Sequence, residues 1–112
     1  METTRQKKVA RLIQKELGEI FQRESKTMFG GAFITVTGVR MSPDLSVAKA
    51  YLSLFAVKNR NALMTDIKKQ TKEIRTKMSE KIKKQVRIIP NLDFHIDDSL
   101  DYAEKIDNLL KK

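Results

Sequence analysis

A chain of 112 residues is long enough for one domain with a modest core, and 40% hydrophobic with 33% charged residues describes a folded rather than a disordered protein. There is no cysteine and only one histidine, His95, which excludes disulfides, thiolate metal ligands and any His-pair metal site. The net charge of +9 is polarised: eleven bases against three acids give +8 between Lys58 and Arg87, whereas residues 88–112 hold three bases and six acids, a net −3. Such polarity within one domain, expected to span residues 1–112, fits a polyanionic partner: RNA, DNA or an anionic membrane surface.

Residues 1–8 contain no apolar h-region and do not form a signal peptide. No apolar run approaches the roughly 18–20 residues needed to span a bilayer, so a cytoplasmic location is expected. Val9, Leu12, Ile13, Leu17, Ile20 and Phe21 recur at spacings of three and four and predict one helix face, with Thr3 or Thr4 as its cap. Lys8, Arg11 and Lys15 share a stripe on the outer side. Three charges alone read most simply as a solvated face. Lys26 to Ala32 reads as a loop punctuated by Gly30-Gly31, which lack the pattern of a phosphate-binding loop.

Phe33 to Met41 is rich in β-branched residues and predicts a strand. Its alternation changes parity between Val36 and Val39, with Gly38 at the switch, so a β-bulge at Gly38 is expected and Gly38→Val should destabilise the hairpin. Ser42-Pro43-Asp44-Leu45 predicts a turn. Val47 to Phe55 follows as the antiparallel partner, with Ala48, Ala50, Leu52 and Leu54 on one side and Lys49, Tyr51 and Ser53 on the other.

Asn61 to about Lys84 is a long helical pattern with the seam Leu63, Ile67, Ile74, Met78 and Ile82. Gln70 and Thr71 interrupt that seam and predict a kink or a change of packing partner. Lys68, Lys69, Lys72, Arg75, Lys77, Lys83 and Lys84 crowd the outer faces, with Lys68, Lys72 and Arg75 on one stripe. Leu92, Phe94 and Ile96 then alternate with Asp93, His95 and Asp97 in a third strand, whose His95 faces away from the core. Asp97-Asp98-Ser99 caps a short last helix with Leu100, Ala103 and Ile106 inward. The order α-β-β-α-β-α predicts an α+β fold, with helices packed on one side of a three-stranded sheet.

That order is the order of a type II KH-like domain. Val36-Thr37-Gly38-Val39-Arg40-Met41-Ser42-Pro43-Asp44-Leu45, with Ala48-Lys49-Ala50-Tyr51, resembles the hairpin of the bacterial ribosome-binding factor A family. Further matches are Val9-Ala10 with Ile13-Gln14-Lys15-Glu16-Leu17, Ile74-Arg75, Arg87-Ile88-Ile89-Pro90-Asn91-Leu92 and Asp97-Asp98-Ser99-Leu100, so the resemblance covers nearly the whole chain. The family's Ala-x-Gly step between its second and third helices is replaced here by Gln70-Thr71-Lys72. The segment between Ile82 and Arg87 is slightly longer than in relatives, and the chain ends soon after the last helix, without the tail of some members.

The resemblance implies a non-enzymatic assembly factor that binds the immature small ribosomal subunit through its rRNA. It also implies support for late maturation, including processing of the precursor's 5′ end. No cofactor is expected, and assembly GTPases acting on the same particle are possible partners of a monomeric protein. The RNA-binding residues would be Arg11, Lys15, Lys68, Lys69, Lys72, Arg75, Lys77, Lys83 and Lys84, supplying phosphate contacts rather than base readout. The alternative is a KH-like RNA-binding protein not dedicated to ribosome assembly. An enzyme is disfavoured because Asp93, Asp97, Asp98 and Asp101 cluster only where capping explains them, and no serine or threonine has a recognisable base partner. A membrane helix is disfavoured because Leu63, Ile67 and Ile74 are needed for the core. On the sheet, Tyr51 is the aromatic read as facing away from the core, which is little for a base-stacking platform.

Overall fold

The computed structural model describes residues 2–55 and 57–97. The expected last helix lies outside the described residues. The element order is α1 (Thr4–Arg23), α2 (Ser25–Met28), β1 (Phe33–Met41), β2 (Val47–Phe55), α3 (Arg60–Lys69), α4 (Thr71–Ile82) and β3 (Asn91–Ile96).

Helix α1 starts at a capping box. Thr3 Oγ1 accepts from the Gln6 backbone N–H at 3.1 Å, and Gln6 Oε1 accepts from the Thr3 N–H at 2.7 Å. Gln6 is itself buried and donates from Nε2 to the Met41 carbonyl at 3.0 Å, while Gln14 Nε2 donates to the Val36 carbonyl at 3.2 Å. Two glutamines of α1 thus satisfy carbonyls of β1, which lies at one edge of the sheet. The stretch expected to be a loop after α1 contains the single turn α2, which begins directly beyond the α1 C-cap Glu24.

The sheet order is β1-β2-β3, with β1–β2 antiparallel and β2–β3 parallel. A parallel neighbour requires a crossover, and α3 and α4 provide it. The parity switch in β1 is a bulge: the register steps from Val36↔Leu52 to Gly38↔Tyr51, leaving Thr37 as the extra residue. Ile34 and Val36 before the bulge and Met41 after it therefore all reach the core. Gly38 thus sits at the bulge, as the residue that resumes pairing opposite Tyr51. Gly38 does not take a positive φ, and a Cβ there would meet nothing within 4 Å. That clearance gives no steric reason at Cβ for a side chain at this position to destabilise the hairpin.

The β1–β2 turn closes with the Leu45 N–H donating to the Ser42 carbonyl at 3.0 Å, and Leu45 sits at φ 63, unusual for a γ-branched side chain. Ser42 Oγ accepts from the Ser46 and Val47 N–H groups and donates to Asp44 Oδ1 at 2.7 Å. Hydrogen bonds from the Ser46 and Ser42 side chains, in that order, lower the Asp44 carboxyl from 3.8 to about 2.

One face of the sheet carries Ile34, Val36, Ala48, Ala50, Leu52, Leu54, Leu92 and Phe94 into a core shared with the helices. Phe21 is its centre, 5.1 Å from the Phe29 ring and 5.8 Å edge-on from Phe94. Helix α1 lies against β1 and α4, while α3 lies against β3. The opposite face of the sheet has no covering element among the described residues.

Candidate nucleic-acid interface

The long helical pattern is two helices. α3 ends at Lys69 and α4 begins at Thr71, joined by Gln70 at φ −97 and ψ 8. That conformation is open to any residue, so the joint needs no glycine. The Gln70 N–H is shared between the Asp66 carbonyl at 3.2 Å and the Ile67 carbonyl at 3.0 Å, the tightening expected at a helix end. Its side chain donates from Nε2 to the Met28 carbonyl at 2.9 Å, tying the joint to α2. The break also shifts the seam. Met64 is buried in α3 whereas Leu63 is only half-buried, and Ile74, Met78 and Ile82 form the buried side of α4.

Lys68 and Lys69 close α3 and Lys72 opens α4, so three exposed cations flank one joint. They do not lie on one continuous helix. Lys83 and Lys84 are exposed in the turn after α4, which at about 1.5 Å per residue puts them roughly 18 Å along the helix from the first group. None of these five takes part in an ion pair among the described residues.

Arg75 and Lys77 are arranged differently. Arg75 is half-buried and donates from Nε to the Pro90 carbonyl at 3.0 Å and from Nη2 to the Ile89 carbonyl at 2.8 Å. The guanidinium ties α4 to the segment that enters β3, and the stripe with Lys68 and Lys72 loses its third free cation. Lys77 Nζ lies 3.7 Å from Glu24 Oε1 at the end of α1. The Thr27 hydroxyl bond lowers the Glu24 carboxyl below its ordinary value more than desolvation raises it, with smaller contributions from Arg23 and Lys77. Arg11 and Lys15 are exposed and line a groove of about 650 Å³ between α1 and β1, together with Gln14, Gly18 and Gln22. They border this groove rather than the joint.

On the sheet face away from the described helices, the structure joins Phe33 and Phe55 to the Tyr51 and His95 that the alternation had placed there. Phe33 pairs with Phe55 across β1 and β2, and Tyr51 pairs with His95 across β2 and β3. Among the described residues no cluster of His, Cys, Asp or Glu side chains has the makings of a metal site, and no helix is long and apolar enough to cross a membrane.

The family model described as "Ribosome-binding factor A" matches residues 5–110. A protein of that name from Cytophaga hutchinsonii is 54% identical over 112 residues, covering 100% of this chain and 84% of that protein. Another from Flavobacterium johnsoniae is 46% identical over 111 residues, covering 98% and 85%. Among solved structures, the crystal structure of ribosome-binding factor A from Thermus thermophilus matches with a TM-score of 0.68 at 19% identity, covering 81% of this chain and 94% of that one. Coordinates of a homology model of the same factor, fitted into a cryo-EM map of a 30S-RBFA complex, match with a TM-score of 0.62 at 23% identity, covering 80% and 91%.

Proposed function

The chain belongs to the ribosome-binding factor A family, and from that membership and its basic helical joint we propose a non-enzymatic assembly factor of the small ribosomal subunit. It is a single-domain, cytoplasmic protein that holds immature subunits through rRNA. It supports late maturation, including processing of the precursor's 5′ end, on the same particle as assembly GTPases. A relative named for ribosome binding has been fitted into a 30S complex, which supports the choice of particle. The observation that carries the proposal is the group Lys68, Lys69 and Lys72 at the α3–α4 joint, extended by Lys83 and Lys84.

Lysine ammonium groups exposed at a helix joint suit the phosphates of folded RNA, whose deep major groove hides its bases. Five phosphate contacts predict that log affinity falls against log salt with a slope of roughly −3.5 to −4.5. The test is sedimentation with isolated small subunits. Lys68→Glu with Lys72→Glu should weaken association and slow precursor maturation in cells, whereas reversing Lys111 and Lys112 should do neither. Equal loss from both pairs would reduce the interaction to bulk charge attraction. RNA binding without preference for small subunits would favour a KH-like RNA-binding protein of wider use.

A further inference from the structure

We propose that the face of the sheet turned away from the described helices is a second RNA surface, a stacking platform for a short single-stranded segment whose ring pairs flank the buried Ser53. It goes beyond the docking reading, because it uses different elements and different chemistry from the α3–α4 joint.

Phe33 and Phe55 are 68% and 58% exposed although they are large and apolar. They are direct cross-strand partners, so both rings project from one end of the same face. Alternation explains the side but not the residue type, since a solvated strand end needs no aromatic ring. Four residues back along β2, about 13 Å at ~3.3 Å per residue, Tyr51 and His95 form a second ring pair with centroids 5.7 Å apart and planes inclined by 31°. Two residues further on, Arg40 and Lys49 are partners on the same face, both exposed. Arg40 Nε is 3.9 Å from Glu2 Oε1, a contact loose enough to leave the arginine side chain 73% exposed.

This sequence of two ring pairs and one cation pair matches single-stranded nucleic acid. Bases stack on rings without regard to identity, and the backbone follows the cations. The distance between the two ring pairs corresponds to about four bases at the ~3.4 Å rise of a stacked strand. The described acids on the face, Asp93 and Asp97, have partners within it. Asp93 Oδ2 lies 2.9 Å from His95 Nε2, and Asp97 accepts from the Thr37 hydroxyl. The Thr37 bond also crosses the face beside the bulge, from β1 to the residue just past β3.

The experiment is fluorescence anisotropy of the full chain with a labelled single-stranded RNA of about eight nucleotides, within the ~4–16 of comparable sheet modules. Phe33→Ala with Phe55→Ala should weaken binding by about 5- to 140-fold, from ~1–3 kcal/mol per stacked base at 1.4 kcal/mol per tenfold. Phe33→Tyr with Phe55→Tyr should bind like the parent, and the corresponding leucine pair should bind like the alanine pair. Arg40→Ala with Lys49→Ala should lower the salt slope by roughly 1.4, two phosphates at ~0.7 each. Unchanged affinity in the alanine pair, or full affinity in the leucine pair, overturns the platform. So does a concentration-dependent dimer that the alanine pair dissolves, because the face would then be an interface between copies. Lys68→Glu with Lys72→Glu should spare binding of the short strand while weakening subunit association, so the platform and the docking face stand or fall separately.

Discussion

Arg75 separates a residue that holds the fold from one that merely carries charge. Its guanidinium donates to two consecutive carbonyls, Pro90 at 3.0 Å and Ile89 at 2.8 Å, from a half-buried position on α4. Hydrogen bonds from a charged donor contribute about 1.5–3 kcal/mol each when fully desolvated. Partial exposure lets water replace some of that, so Arg75→Ala should cost about 1.5–3 kcal/mol in total. Arg75→Lys is the sharper perturbation. It keeps the positive charge but loses the planar fork that reaches two carbonyls at once, so it should recover less than half of the loss. Urea unfolding measures both, with the midpoint moving and the m-value constant. For a domain of this size, 1 kcal/mol corresponds to about 4–8 °C in Tm. If lysine restores full stability, or alanine costs under about 0.5 kcal/mol, the range of ordinary surface changes, then the strap is not holding β3 and the residue is available to RNA after all.

Three further outcomes follow from single features. Gly38→Ala should leave stability unchanged or raise it by up to about 1 kcal/mol, because the position has room for a Cβ and the unfolded chain loses freedom; a clear drop in the urea midpoint would contradict the geometry of the bulge. The Asp44 carboxyl should titrate near 2 by NMR, lowered by Ser46 and then Ser42. The folded value lies below the ordinary 3.8, so its contribution to stability is fully present above pH 3.8 and is lost as pH falls through about 2; an Asp44 midpoint near 4 would show that the serine cage is open in solution. Amide exchange should be faster at Thr71 and Lys72, whose N–H groups begin α4 without a side-chain cap, than at Ile67 or Met78. Uniform protection across the joint would mean a continuous helix.

The sequence disclosed those features whose signal is local and repeated. Ile13, Leu17, Ile20 and Phe21 marked the α1 face, and the polar pair Gln70-Thr71 marked the joint. Gln70 was visible only as a gap, because its bond to the Met28 carbonyl joins residues 42 apart in sequence. Arg75 looked like one more cation for the same reason. Its partners Ile89 and Pro90 reach it only after α4 has turned the chain back towards β3. Met64 was missed because the seam was phased through an unbroken helix, and the joint rotates that phase. The four-residue α2 is shorter than any periodicity can register. Phe55 was within reach, since it shares the parity of Tyr51 and Ser53, but parity gives a face and not an exposure. A sheet face without a covering helix among the described residues becomes recognisable only once the helices are seen on the other side.

Lys72 supplies the last argument, because its position works against the fold. It occupies the second residue of α4, where the partial positive charge of the helix N-terminus disfavours a cation by about 0.3–1 kcal/mol. Glu73 beside it offsets part of this, and the joint has no side-chain cap. Lys68 and Lys69 are placed the other way, in the last turn of α3, where the helix dipole favours them. Their presence is explained by the helix alone, and that of Lys72 is not. An anion bridging the joint would reconcile the three, since it accepts charge from both sides of the break. Lys72→Glu should then raise thermal stability slightly in low salt while weakening association with small subunits, two effects of opposite sign from one substitution. A loss of stability would mean that Lys72 has a structural partner. A gain in stability with unchanged association would mean that the joint is not where the RNA docks.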